Sequence, residues 1–189
     1  MKIRTIVFAS MLSVGTLFAG TYNVDVSHSS VGFKVKHMMV SNVKGQFDTF
    51  SGSFEYDEKS QTLKALNGTV DANSINTQNA KRDGHLKSAD FFDVAKYPSI
   101  TLKLIKVKGD TATTELTLHG VTKNVEMEVE LSGQTIQDPW GNTRTGLSLS
   151  GKINRKDFGL NWNKLIEAGG AMVGDEVKIS IELEGILAK

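Results

Sequence analysis

Apolar and polar residues alternate along most of this chain, and that alternation constrains its fold more than any other feature. The segments VEMEVEL (125–131) and VKISIEL (177–183) show it most clearly. A period of two sends successive side chains to opposite faces of a β-strand, so each such segment predicts a strand with one apolar and one polar face. The pattern recurs about eight times along the sequence, which predicts an all-β fold.

The connections between these strands indicate an antiparallel sheet that closes on itself. Turn signals such as Lys108-Gly109-Asp110 separate the strands, and helical crossovers are missing between most of them. Eight one-sided strands can stack as a sandwich or close as an up-and-down barrel. A barrel leaves no exposed strand edge, so we expect an eight-stranded antiparallel barrel. The inward register changes between Phe47 and Phe50, which predicts a bulge or a bend near Asp48.

The N-terminal segment predicts export from the cytoplasm. Lys2 and Arg4 precede an uncharged apolar run, and small residues follow at a plausible cleavage point. This is the pattern of a secretory signal peptide, and the run is too short for a good membrane span. We therefore expect residues 1–20 to be removed and residues 21–189 to form one barrel domain in the periplasm. An uncleaved anchor is the alternative, because Leu17 stands where a small residue is preferred.

The composition argues against several classes of function. Without Lys2 and Arg4, the 22 basic residues become 20, against 21 acidic ones, so the chain has no electrostatic footprint for nucleic acid. The sequence contains no cysteine, which excludes disulfides and thiolate chemistry. Its four histidines lack metal-ligand spacing, and it has no nucleophile elbow and no phosphate-binding loop. We therefore expect no catalytic residue, no metal and no cofactor.

One stretch, NAKRDGHLKSADFFDVAKYP at 79–98, interrupts the alternation. Its composition predicts a short helix at about 78–90, near one end of the barrel. Three roles stay open for it. It can be a structural lid that Arg82 and Asp83 tie down, it can supply Asp83 and His85 as an acid and a base, or it can contact the head group of a ligand.

Whether the barrel is filled or hollow depends on its glycines. Gly45, Gly52, Gly68 and Gly151 all fall on apolar faces of strands. Glycine at such positions removes volume from the interior, which favours a ligand cavity. Glycine also allows strands to bend at the corners of a barrel, so the same pattern is compatible with a filled interior.

Several longer motifs together resemble one known family. They are YNVD (22–25), HSSVGF (28–33), GQF (45–47), FSG (50–52), RDGHL (82–86), DFFD (90–93), YP (97–98), LTLHGVTK (116–123) and NRKDFG (154–159). In this order they resemble the YceI-like proteins, which are periplasmic lipid- or polyisoprenoid-binding proteins of lipocalin-like fold. The resemblance implies a hollow barrel that holds a long amphiphilic chain, such as a polyisoprenoid, an isoprenoid quinone or a fatty amide.

With a hollow barrel implied, inward-facing residues become candidate ligand contacts. For the wall we predict Val31, Phe33, Phe47, Phe54, Leu102, Leu116, Met127 and Leu147, and for the mouth Phe92 and Trp162. The expected partner is a long-chain isoprenoid or fatty lipid that the protein binds, stores or transports. A transient membrane contact for loading and a homodimer stay open. So do two other functions, namely an enzyme that acts on an isoprenoid lipid and a filled barrel that binds a protein partner.

Overall fold

The computed structural model describes residues 19–165 and 170–189. Its strands are β1 (Gly20–Val24), β2 (Ser30–His37), β3 (Ser41–Phe47), β4 (Phe50–Asp57), β5 (Thr62–Asp71), β6 (Ile75–Asn76), β7 (Ser99–Lys108), β8 (Thr111–Leu118), β9 (Val121–Leu131), β10 (Ile136–Gln137), β11 (Thr143–Asn154) and β12 (Val173–Leu187). The helix α1 spans Ala80–Lys87, and short 3-10 turns span Val26–His28, Ala72–Ser74 and Arg155–Phe158. Within the described ranges, no helix has the length and apolarity needed to cross a membrane.

The strands form a closed antiparallel barrel with eight strand positions. Three of these positions each consist of two short strands placed end to end, namely β1 with β2, β3 with β4, and β5 with β6. The members of each pair share a neighbouring position. For example, β1 and β2 both pair with β12. The remaining positions are β7, β8, β9, β11 and β12, each paired with the next, and the pairing of β12 with β1 and β2 closes the ring. The predicted eight-stranded antiparallel barrel is confirmed.

Two of the interruptions have a simple local origin. The strand β3 ends at Phe47 and β4 begins at Phe50, so the predicted bend near Asp48 is confirmed. Between β1 and β2, Val24 pairs with Gly185 and Ser30 pairs with Glu182. The five residues 25–29 therefore stand opposite two residues of β12, and the surplus bulges out of the sheet.

The helix is shorter than the predicted range of 78–90. Gln78 has a left-handed φ of 62°, so the chain turns before the helix begins. Asn79 is the N-cap, and its side-chain oxygen accepts a hydrogen bond from the backbone N–H of Arg82 at 3.0 Å. The helix ends at Lys87, and the N–H of Ser88 bonds to the carbonyl of His85. The following residues are thereby free to turn back toward the barrel.

One half of the barrel interior is filled with side chains. Tyr22 and Phe54 stack there with ring centroids 5.4 Å apart, and Tyr56 contacts Tyr22 edge-on at 6.5 Å. Gly185 makes room for this cluster, since a Cβ at that position would lie 2.6 Å from the Phe54 ring. Leu147 is 5% exposed in the same packed core.

The predicted signal peptide, residues 1–20, lies outside the described residues except for its last two positions. Gly20 is the first residue of β1 and pairs with Tyr56 of β4.

Candidate functional site

The other half of the barrel interior is hollow. It encloses a cavity of about 170 Å³ between the packed core and the end that carries α1. The lining comprises Val24, Val31, Gly32, Phe33, Val35, Phe47, Phe50, Ser51, Gly52, Leu66, Asn67, Gly68, Thr69, Val70, Leu86, Phe91, Phe92, Ile100, Leu102, Leu116, Leu118, Met127, Ile153, Arg155, Leu160, Val173, Val177, Ile179, Ile181 and Leu183. Apolar cavities of this size stay dry and accept apolar guests.

The lining of the cavity spans a long stretch of β12. Val173 and Leu183, which both line it, are ten positions apart on β12. At about 3.3 Å per residue, this corresponds to about 30 Å of strand. A lining of this extent, with almost entirely apolar side chains, suits an apolar guest.

Two facing glycines explain why this half is hollow. Gly52 of β4 and Gly68 of β5 are cross-strand partners, and both line the cavity. A Cβ built on Gly68 would meet only the Ser51 carbonyl oxygen, at 3.9 Å, and otherwise point into open space. A Cβ on Gly52 would lie 2.6 Å from the Asn67 carbonyl oxygen, so here two backbones approach closely. Gly68 thus leaves space in the interior, whereas Gly52 allows two backbones to approach closely.

The structure places seven of the ten predicted contact residues on the cavity wall. They are Val31, Phe33, Phe47, Phe92, Leu102, Leu116 and Met127. Phe54 and Leu147 point inward as predicted but belong to the packed core and not to the lining, although their cross-strand partners Leu66 and Leu183 do line the cavity. Alternation identifies the face of a strand that points inward, but not the depth at which the interior is filled.

Trp162, predicted at the mouth, lies one layer outside the cavity. Its ring packs against Phe91 at 5.0 Å and against His85 at 4.8 Å. Phe91 and Phe92 follow α1 and do line the cavity, and the Phe92 ring meets Phe47 edge-on at 5.9 Å. Phe91 and Phe92, after α1, thus form an inner aromatic layer on the cavity, and Trp162, from the loop between β11 and β12, packs on the outside of Phe91.

Hydrogen bonds hold α1 against the barrel through Thr77. The Asp83 carboxylate accepts from the Thr77 N–H at 3.0 Å and from its hydroxyl at 2.5 Å. Arg82 donates to the Thr77 hydroxyl and to the Thr77 carbonyl, both at 2.7 Å. Of the three roles considered for this segment, these contacts favour the structural lid, which Arg82 and Asp83 tie down.

His85 and Asp83, the candidate acid and base, do not contact each other. The His85 imidazole instead bonds to the Asp90 carboxylate at 2.9 Å, and both of these side chains are partly exposed. The His85–Asp90 pair joins the end of α1 to the segment that carries the two phenylalanines. The Asp83 carboxylate instead accepts hydrogen bonds from Thr77, which precedes the helix.

Arg155 organises the loop beside the cavity. Its side chain is 3% exposed and donates to the carbonyls of Gly174 at 2.9 Å and Trp162 at 2.8 Å, as well as to that of Leu160. Burial lowers the pKa of Arg155, while the nearby Asp175 carboxylate acts in the opposite direction. Because these carbonyls occupy its donors, Arg155 serves as an anchor for the chain between β11 and β12.

Some lining residues were not among the predicted contacts. Leu86 is the apolar residue of the charged second half of α1, and that contrast was a usable signal for an inward position. Leu160 and Val173 flank the loop that Arg155 holds, and they lie outside the alternating segments. No local pattern marks such residues, because the barrel closure brings them to the cavity.

A second polar cluster lies at the packed end of the barrel. Asp25, His28 and Glu184 converge closely enough to offer ligand atoms to a metal ion. The Arg144 guanidinium already lies among them, 2.7 Å from Asp25 and 2.6 Å from Glu184, and it also contacts Asp138 at 2.7 Å. Arg144 therefore supplies the positive charge at this cluster. It connects β11 and β12 to the segment between β1 and β2 and to the segment between β10 and β11.

This network shifts the acid–base equilibria of its carboxylates. Hydrogen bonds from Ser27 and from Arg144 hold the pKa of Asp25 well below its ordinary value. Burial acts to raise the pKa of Asp138, but hydrogen bonds from Arg144 and Asn142 outweigh it and hold that pKa well below the ordinary value. Both groups are therefore more acidic in the folded protein than in the unfolded chain.

Comparison with known proteins identifies the family. The sequence model of the YceI-like domain matches residues 22–185, which is nearly the whole barrel. The chain belongs to the YceI-like family. Protein YceI of Salmonella agona is 41% identical over 189 residues, a match that covers 96% of this chain and 95% of that protein.

Solved structures of other proteins share the architecture. The YceI protein of Campylobacter jejuni superimposes with a TM-score of 0.69 at 34% identity, covering 89% of this chain and 98% of that one. A domain from Saccharophagus degradans, described as a polyisoprenoid binding domain implicated in plant cell wall breakdown, superimposes with a TM-score of 0.62. It is 20% identical and the match covers 91% of this chain and 100% of that domain, so this likeness concerns the fold.

Proposed function

We propose that this protein binds a long-chain isoprenoid-type lipid in the barrel cavity and stores or carries it through the periplasm. The observation that carries the proposal is the chemistry of the cavity, whose lining spans ten positions of β12 and consists almost entirely of apolar side chains. The related fold of a polyisoprenoid binding domain from another bacterium supports the same class of ligand.

The affinity would come from burial of the tail. Each buried methylene contributes about 0.8 kcal/mol, so ten buried carbons contribute about 8 kcal/mol before the costs of association. A gross term of this size corresponds to a dissociation constant of about 1 μM, and an isoprenoid tail offers many more than ten carbons. Arg155 is the charged residue of the described lining, and backbone carbonyls occupy its donors. Tail length, more than head-group charge, should therefore decide which lipid binds.

The periplasmic location is part of the proposal and rests on the N-terminal pattern. Lys2, Arg4 and the apolar run after them have the composition of an export signal, and the chain has no cysteine that an oxidising compartment would join. Cell fractionation tests this part separately. Recovery of the mature chain in the cytoplasm would contradict it.

Native mass spectrometry of protein purified from its own host tests the binding proposal. We expect a discrete co-purifying mass that yields an isoprenoid or fatty-chain species on organic extraction. A clean apo mass, with no uptake of an added isoprenoid quinone or polyprenyl phosphate, would contradict the proposal and favour a protein partner. The variant Trp140→Ser serves as a control, because Trp140 is 81% exposed, lies outside the lining, and its loss should leave lipid uptake unchanged.

A further inference from the structure

Two loops expose an apolar surface beside the hollow half of the barrel. The turn between β2 and β3 presents Met39 and Val40, which are 61% and 82% exposed, together with Met38. Leu165, in the loop between β11 and β12, is 84% exposed. We call Met38, Met39, Val40 and Leu165 the apolar tip. Eight large apolar residues of the described chain are strongly exposed, and four of them belong to the apolar tip. Single exposed apolar residues are normal on a protein surface, but a cluster of them indicates an interaction site.

Backbone contacts bring the two loops together. The Met38 N–H bonds to the Met172 carbonyl at 2.8 Å, and the Met172 N–H bonds to the Lys164 carbonyl at 2.9 Å. Leu165 itself pairs with Ala171 in a short antiparallel bridge. The apolar tip is therefore one surface built from both loops.

The turn that carries the methionines is an unfavourable one for these residues. Met38 and Met39 have φ values of 49° and 63°, and the Val40 N–H bonds back to the His37 carbonyl at 3.2 Å. This is a type I′ turn, for which Asn-Gly is strongly preferred because both central residues are left-handed. The chain thus holds two flexible apolar side chains in water at a place where a polar pair fits the backbone better. Stability of the free protein does not explain that choice.

A row of lysines crosses the outer surface of the barrel next to the tip. Lys44, Lys34, Lys178 and Lys152 are successive cross-strand partners on β3, β2, β12 and β11. Their strand neighbours Val35, Val177 and Ile153 line the cavity, so the lysines lie on the outer face. We call these four residues the lysine row.

Like charges in directly opposed positions disfavour a sheet, so the lysine row also needs an explanation beyond stability. Lys36 adds a fifth positive charge between the row and the tip, and among the described residues the row has one carboxylate in ion-pair contact, Glu176, 3.3 Å from Lys152. Lys34 and Met38 are four positions apart, which is about 13 Å along the strand. The apolar tip and Lys34 of the lysine row are therefore neighbours on the same side of the barrel.

We propose that the apolar tip and the lysine row dock this barrel on a bilayer that contains anionic lipids. The tip would enter the boundary between head groups and acyl chains, while the lysines would contact lipid phosphates. A protein partner would need a pocket to receive a protruding turn, whereas a bilayer receives it without one. The inference rests on the proposed function, because the cavity lies directly behind Val35 and Val177 and the docked barrel would hold its hollow half at the lipid source.

Vesicle flotation with lipid-free protein tests the docking. We expect the unmodified protein to float with vesicles containing about one quarter phosphatidylglycerol, more weakly with pure phosphatidylcholine, and less as salt rises. Met38→Asn with Met39→Gly removes apolar surface and improves the turn, so it should fold well and lose roughly tenfold or more in binding. Lys34→Gln with Lys178→Gln should lower binding to the anionic vesicles by about 25-fold, at about 1 kcal/mol per lysine.

Matched controls use residues far from the tip. Trp140→Ser removes an 81% exposed aromatic residue near the packed end, and Lys106→Gln with Lys108→Gln removes two lysines from β7. Both controls should float like the unmodified protein. Equal flotation of the Met38–Met39 variant and the unmodified protein, or failure of the unmodified protein to float with either vesicle, would overturn the docking proposal.

Lipid uptake from detergent micelles separates this proposal from the previous one. Protein that takes up an isoprenoid quinone from micelles but does not float with vesicles binds lipid without docking. Protein that floats with anionic vesicles but takes up lipid from neither source docks without a lipid-binding cavity.

Discussion

The contrast between Gly52 and Gly68 gives the sharpest test of the hollow interior. Gly68→Ile adds a side chain that points into the cavity, because a Cβ there meets only one oxygen at 3.9 Å. Burial of an isoleucine contributes about 1.5–3 kcal/mol and replacement of a strand glycine about 0.5–1 kcal/mol. Since part of the new side chain still faces the cavity, we take about 2 kcal/mol as the gain in the free energy of unfolding.

For a chain of this size, about 2 kcal/mol corresponds to a rise of roughly 4–8 °C in the melting temperature of the lipid-free protein. The same substitution should reduce lipid uptake, because isoleucine occupies the channel. Gly52→Ile is the matched control on the partner strand. Its Cβ would lie 2.6 Å from the backbone oxygen of Asn67, so it should lower the free energy of unfolding by about 1–3 kcal/mol.

Melting curves from circular dichroism and lipid load from native mass spectrometry are both needed. Higher stability together with lower lipid load in Gly68→Ile is the expected result. If Gly68→Ile melts as low as Gly52→Ile, or keeps a full lipid load, the cavity is not open at Gly68 and our explanation of the hollow half is wrong.

Three further substitutions test the rest of the structure. Phe54→Ala should lower the free energy of unfolding in urea by about 3–5 kcal/mol, because Phe54 is buried in the packed core. Arg144→Gln should lower the melting temperature at pH 7. The pKa values of Asp25 and Asp138 are lowered by folding, so their contribution is present above about pH 4 and disappears as the pH falls further. The gap between Arg144→Gln and the unmodified protein should therefore narrow from pH 7 to pH 3, and an unchanged gap would contradict this role. Arg155→Lys leaves backbone carbonyls without their donors and should cost about 2–3 kcal/mol, measured by urea unfolding, whereas no loss would mean that water replaces the guanidinium.

The alternation of residues predicted the barrel because it is a local property of each strand. In segment 125–131, for example, every second side chain is apolar, and its Val125, Met127 and Val129 are all buried. The bend near Asp48 was also readable, since the inward register changes on either side of it.

The sequence of a single strand did not predict how far along the barrel the cavity extends. Phe54 and Gly52 are two positions apart on one face of β4, yet one fills the core and the other borders empty space. That difference depends on their partners Leu66 and Gly68 across the sheet, and so on strand register. Trp162 lies in a loop whose course is set by the distant Arg155, so its place in the outer layer of the closed end followed from no local pattern.

The division of the barrel into a packed half and a hollow half has a consequence for its evolution. Aromatic stacking around Tyr22 and Phe54 stabilises the fold at one end, while the residues around Gly68 border space that the fold does not fill. Mutations at positions such as Gly68, where an added side chain meets open space, can change the volume of the cavity with little penalty to folding. A lineage can therefore sample new guests by point mutation while the same scaffold persists, which makes this barrel well suited to diversify.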